Sequence, residues 1–276
     1  MRLVWQFLAV AAVAFLGGQA VNAVGNPWLT LVLGALTAVL AVLVYRWVVR
    51  RTEHRPVTEL SRPGARLAFG RGALIGVALV GLVIANIALL GDYEVRGWGS
   101  VPAAVGLVGF MAAAAVTEEL LFRGVLFRIV EERTGTWIAL VLTGVLFGLV
   151  HLFNADASLW GAVAIAIEAG GLLTSAYVAT RKLWLPIGLH FGWNFAMAGI
   201  FGTEVSGNGT PQGLLDAATS GSAAVTGGKF GPEGSLYSVL FCVLATGAFL
   251  WLAHRRGNLV PRGRGTEQAD ANTLSR

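Results

Sequence analysis

Eight apolar runs, each long enough to cross a bilayer, decide what this chain can fold into. A hydrocarbon core of ~30 Å is spanned by ~20 helical residues, with a range of roughly 17–25. The runs are Leu3–Val21, Trp28–Tyr45, Ala73–Leu90, Val101–Phe127, Trp137–Phe153, Leu159–Ala179, Leu183–Phe201 and Leu236–Ala253. None alternates with the period of a strand, which excludes a β-barrel. Without water to bond to, a spanning segment must satisfy its own backbone, and the α-helix does so. The expected fold is all-α, a polytopic membrane protein built as an eight-transmembrane-helix bundle. The charged fraction agrees: 13%, where a soluble domain carries about 25%.

The basic residues orient the bundle. With the N-terminus inside, 17 of the 20 lysines and arginines fall in cytoplasmic segments and two, Arg96 and Lys229, outside, with Arg123 left in the membrane. This is the bias of the positive-inside rule, and it predicts that both termini are cytoplasmic. A net charge of +5 then reads as juxtamembrane anchoring to anionic lipid rather than nucleic-acid binding. Arg2, the apolar run behind it and the small residues at 17–20 also resemble a signal peptide, but a run of this length is expected to stay as an uncleaved helix. The single cysteine, Cys242, lies in the last run, so neither a disulfide framework nor a CxxC metal site is available.

Residues 1–256 form one membrane domain in this reading, and 257–276 a disordered basic cytoplasmic tail. The 46–72 loop, with Pro56 and Pro63, is expected to be irregular with a short surface helix. The Gly-, Ser- and Thr-rich stretch 202–234 is expected to be a flexible loop with a short helix around Pro211–Ala218.

The unusual chemistry is concentrated between residues 105 and 200. A charge at the centre of a bilayer helix costs ~2.5–3.5 kcal/mol on insertion scales, so Glu118, Glu119 and Arg123 in the fourth run call for a reason. Adjacent helical residues point about 100° apart, so the two glutamates cannot serve one point. Arg123 follows Glu119 at the favourable i,i+4 spacing. This assigns Glu119–Arg123 as a structural pair and leaves Glu118 as the free carboxylate. Phe147 and His151 share a face of the fifth run, and His190 and Asn194 share one of the seventh. Phe191 and Trp193 read as packing residues. Each histidine alone could be a helix-to-helix hydrogen-bond partner. Together they suggest one cavity, with Glu118 as general base helped by His151, and with His190 and Asn194 donating to an oxyanion. By depth along its run His151 sits deeper than Glu118 and His190. Glu168 in the sixth run either lines the cavity or pairs with Arg123.

These residues carry a resemblance. TEELLFRG (117–124), FGLVH (147–151) and HFGWN (190–194) resemble, in order, the EExxxR, FxxxH and HxxxN motifs of the CPBP family. That family comprises type II CAAX prenyl endopeptidases and bacterial bacteriocin-processing and bacteriocin-immunity (Abi) proteins. The resemblance covers a core of roughly 100–202. It implies an eight-helix intramembrane endopeptidase of the glutamate type. Glu118 and His151 would activate water, His190 and Asn194 would form the oxyanion site, and Glu119, Arg123 and Phe147 would support them.

Two other readings stand beside this one. Glu118, His151 and His190 are a legitimate catalytic zinc set, although no HExxH occurs; the expectation is no cofactor, with zinc as the alternative. A non-catalytic immunity protein would keep the fold without turnover. A solute transporter would show an inverted repeat with broken helices, and none is visible. The partners expected are the lipid bilayer and a membrane-associated protein or peptide substrate, whose prenylation the sequence does not reveal. The Ala-, Gly- and Arg-rich composition suggests a bacterial plasma membrane.

Overall fold

The structure, a computed structural model, describes residues 1–210 and 213–262. Its long helices are α1 (Arg2–Asn22), α2 (Pro27–Glu53), α3 (Ala65–Leu89), α4 (Val101–Thr134), α5 (Thr136–Phe153) and α6 (Leu159–Thr180). They continue with α7 (Trp184–Asn194, extended by a π-helical stretch Phe195–Ile200) and α8 (Leu236–Arg255). The expected all-α membrane bundle is therefore present. Seven of these helices are long and apolar enough to cross a membrane. The other is α7, whose shorter rod leaves the count of eight spans open.

Local chemistry sets the helix starts. Asn26 accepts hydrogen bonds from the amides of Trp28 and Leu29, with Pro27 in the first turn. Ser100, Ser158 and Ser235 cap α4, α6 and α8 in the same way. The bundle turns its apolar side chains outward as well as inward. Trp5, Leu36, Leu43, Trp47, Leu74, Leu142 and Trp251 are all exposed, as a lipid-facing belt requires.

Helix-to-helix contact rests on glycine. Gly72 and Gly76 of α3 meet Gly188 and Gly192 of α7 so closely that a Cβ on Gly188 would lie 2.1 Å from the Phe69 carbonyl oxygen. A Cβ on Gly76 would lie 2.4 Å from that of Leu189. This double GxxxG seam is van der Waals packing of backbone on backbone. It fixes the rotation of α7, and with it the direction taken by His190 between the two glycines. Gly144 and Gly148 of α5 play the same part against α6.

Several helices outrun their apolar runs. α2 continues to Glu53 and α4 to Thr134 because the polar residues there are paired rather than solvated. Arg128 spans Glu53 at 2.9 Å and the Gln6 side chain at 2.9 Å, tying α1, α2 and α4 together. Within the 46–72 segment the expected short helix is a 3₁₀ turn, Thr58–Leu60, which is only partly at the surface: it buries Glu59 and Leu60. Burial alone would raise that carboxyl, but a bidentate Arg55 at 2.9 Å and the Tyr45 hydroxyl at 2.6 Å hold it below the usual carboxylate range. The first residues of the expected tail are held too. Asn258 bonds to the Val178 and Ala179 carbonyls, and Val260 to Thr136. Residues 263–276 lie outside the described residues.

At the other end of the bundle the expected flexible loop is a hydrogen-bonded cap. Where a short helix was expected, Leu215–Thr219 forms strand β2, antiparallel to β1 (Tyr93–Trp98); Tyr93 pairs with Thr219, Trp98 with Leu215, and a bulge falls between Val95 and Gly97. Pro211 and Gln212 lie outside the described residues. Asn154 donates to the Ser206 carbonyl at 2.6 Å and Trp160 to that of Gly234 at 2.7 Å. Gly231, at φ 97, turns the chain against the Glu204 carbonyl, where a side chain would clash.

Candidate active site

α4 and α5 are the arms of a hairpin bent at Gly135, whose φ of 80 suits glycine. Glu118 stands 17 residues before that bend and His151 16 after it. At ~1.5 Å per residue both are about 25 Å from it. The depth mismatch expected from the apolar runs thus disappears: α4 had been ended at Phe127, seven residues short.

A cavity of about 300 Å³ opens beside this hairpin, walled by α4 to α8 and roofed by the cap. Glu118, Phe147, His151, His190 and Asn194 all line it. Glu119 and Arg123 do not; they lie behind it, fully buried.

The polar groups form a directed chain. Arg123 donates from Nη1 to Glu119 at 2.7 Å, from Nε to Thr174 Oγ1 at 3.3 Å and from Nη2 to the Ala169 carbonyl. Its guanidinium lies 4.7 Å from the centre of the Phe147 ring. The same Glu119 oxygen takes His190 Nδ1 at 3.0 Å. A carboxylate that already accepts from arginine can only accept again, so Nδ1 of His190 carries a proton and Nε2 is turned toward Glu118, 3.8 Å away. His151 is fixed by the same logic. Its Nδ1 is 2.7 Å from the Phe147 carbonyl, an acceptor, so its Nε2 is the basic nitrogen.

Three π-helical stretches adjoin these residues: Leu120–Phe127 directly after Glu119, Ala166–Leu173 around Glu168, and Phe195–Ile200 directly after Asn194. Such widened turns re-aim the side chains near them and are frequent at functional sites.

Every residue picked out from the sequence is thus in or behind one cavity. Glu168 is settled in favour of lining the cavity, since Arg123 bonds to the neighbouring Ala169 carbonyl instead. Sequence reasoning missed three features. Glu119 serves His190 as well as Arg123. Trp193, read as packing, donates from Nε1 to Glu233 at 2.8 Å. Glu233 itself, in FGPEGS (230–235), also accepts from the Ser206 amide at 2.6 Å and hydroxyl at 2.7 Å. It lies in a glycine-rich loop whose pattern carries no signal for a buried acid.

Among the described residues no group of three His, Cys, Asp or Glu side chains is placed to hold a metal ion, while the Nδ1 contacts of His151 and His190 leave Nε2 of each free toward the cavity.

Residues 100–196, about a third of the chain, match the family model described as type II CAAX prenyl endopeptidase Rce1-like, and this match supports a protease of the CPBP type. Among curated relatives it is similar to YdiL of Bacillus subtilis (strain 168), described as a candidate membrane peptidase. The two are 26% identical over 212 residues, 70% of this chain and 82% of that one. No solved structure matches the chain significantly.

Proposed function

We propose that this CAAX-type membrane protease is an endopeptidase that cleaves a membrane-associated protein or peptide with a water activated by Glu118 and His151. The observation that carries the reading is the convergence of Glu118, His151, His190 and Asn194 on one cavity, with His190 clamped from behind by Glu119 and Arg123. Glu118 takes a proton from the water, and His151 Nε2 shares it. The hydroxide adds to the scissile carbonyl. The oxyanion so formed lies against the Asn194 amide and against Nε2 of His190, which enters the reaction as the imidazolium, with a proton on each nitrogen, between the carboxylates of Glu119 and Glu118. The proton held by Glu118 then goes to the leaving amine. His190 and His151 are already oriented by their neighbours, which is how preorganised groups lower a barrier.

The test is quantitative. Asn194→Ala removes one oxyanion donor, and turnover is expected to fall ~10²–10³-fold with little change in KM. Activity of the wild type should survive a chelator, with no stoichiometric metal in the purified protein. Zinc whose removal abolishes cleavage, and whose return restores it, would overturn the water-activation scheme in favour of metal ligation by His151 and His190.

The arginine and lysine bias supports placing both termini in the cytoplasm of a bacterial plasma membrane, and so the cap outside. A phosphatase reporter fused after Arg276, active only when exported, is expected to be silent; activity there would reverse the orientation.

A further inference from the structure

Glu168 is not explained by the scheme above. It is 3% exposed, lines the cavity, and neither carboxylate oxygen has a hydrogen-bond partner among the described residues. A carboxylate buried and unpaired is strongly unfavourable, so this group either holds its proton or meets a cation. Each of the three guanidinium nitrogens of Arg123 is already bonded elsewhere, to Glu119, Thr174 and Ala169.

The second acid of this region is Glu233, delivered from the cap to the wall of the same cavity. Burial raises the Glu233 carboxyl, while the Ser206 and Trp193 donors oppose that rise. With Glu118, the cavity wall presents three carboxylates, and no lysine or arginine lines it among the described residues. A low-dielectric pocket of one sign concentrates ions of the other. The rest of the wall beside Glu168 is aliphatic: Ile165, Ala169, Leu172 and Leu173. An aliphatic sleeve ending in carboxylates matches a side chain with an apolar stem and a charged head.

We propose that Glu168 and Glu233 form a specificity subsite that binds a cationic group of the substrate, an ammonium or guanidinium carried beside the bond to be cleaved. Lysine, arginine and a free α-amino terminus share this chemistry. The subsite deepens the protease reading and rests on it, so its test separates binding from turnover.

Glu118→Gln protein in nanodiscs is titrated by calorimetry with hydrophobic peptides that carry lysine, arginine or neutral norleucine at one position, each with a free or acetylated N-terminus. Charged hydrogen bonds predict that the cationic peptides bind about 10- to 100-fold more tightly than the norleucine peptide. Adding Glu168→Gln should bring that ratio close to one. Loss of the preference on acetylation, with the side chain indifferent, assigns the group to the terminus; the converse assigns it to lysine or arginine. The same peptides, internally quenched and offered to the wild type, should show the same ratio in kcat/KM. Equal binding of cationic and neutral peptides overturns the subsite, as does a preference that survives Glu168→Gln. So does calcium or zinc binding that Glu168→Gln abolishes, because the pocket would then be a metal site. Peptides that bind with the expected ratio but are never cut leave the subsite standing and sink the protease reading instead.

Discussion

Glu118→Gln is expected to lower turnover on the order of 10³–10⁴-fold, the upper part of what a positioned general base contributes, while the protein stays folded. The amide is nearly isosteric with the carboxylate but has no lone pair basic enough to take a proton from water. The fold should tolerate it, because Glu118 is partly open to the cavity and no hydrogen bond among the described residues ends on it; its nearest charged neighbour is His190 Nε2 at 3.8 Å. The measurement is single-turnover cleavage of a quenched peptide beside the thermal unfolding midpoint in the same detergent. An unchanged midpoint with a cleavage rate within tenfold of wild type would remove Glu118 from the chemistry. Asn194→Ala should be the milder lesion, since a base takes part in both proton transfers and one oxyanion donor in neither.

The second large effect is on the fold. Arg123→Ala should cost about 3–5 kcal/mol, the penalty for breaking a buried ion pair from one side. Arg123 and Glu119 are 1% and 0% exposed, and removing the guanidinium leaves Glu119 with His190 alone. It also frees Thr174 Oγ1 and the Ala169 carbonyl and withdraws the cation from Phe147. Arg123→Lys should recover only part of the loss. An ammonium restores the charge but cannot reach three partners in three directions from one plane. Chemical unfolding of both variants, read beside activity per folded molecule, checks this. If Arg123→Ala unfolded like wild type yet lost activity, arginine would belong to the reaction rather than to its support.

How much of this was visible beforehand depends on which interaction wrote the signal. The helices were legible because twenty apolar residues in a row have one solution in lipid. Their ends were not, because Arg128, Glu131 and Glu53 read as the start of a wet loop when taken singly. They are buried because each finds a partner: Arg128 lies 2.9 Å from Glu53, and Arg181 reaches Glu131 from α6. These two pairings join residues 75 and 50 positions apart, and no local pattern announces them. The Glu119–Arg123 pair was legible because i,i+4 is a local spacing. The Glu119–His190 contact was not, since it depends on how α7 is rotated, and that rotation is set by the glycine seam with α3. Glu233 was invisible for a third reason: its partners Trp193 and Ser206 come together only once the cap has folded. The cap's strands are short, and the stretch 202–234 is too rich in glycine and serine to favour any regular element.

The hairpin bent at Gly135 works as a ruler. Its two arms place the carboxylate and the imidazole level with each other by length alone, 17 residues one way and 16 the other. A single residue inserted or deleted anywhere along either arm would slide one group past its counterpart by ~1.5 Å and swing it by about 100°. No change of side chain could undo both displacements at once. The π-helical stretch Leu120–Phe127, which lies within the α4 arm, is the place where such a slip can be absorbed, since it already holds a widened turn. Lengthening the polypeptide is therefore tolerable at that turn and ruinous elsewhere between Glu118 and His151.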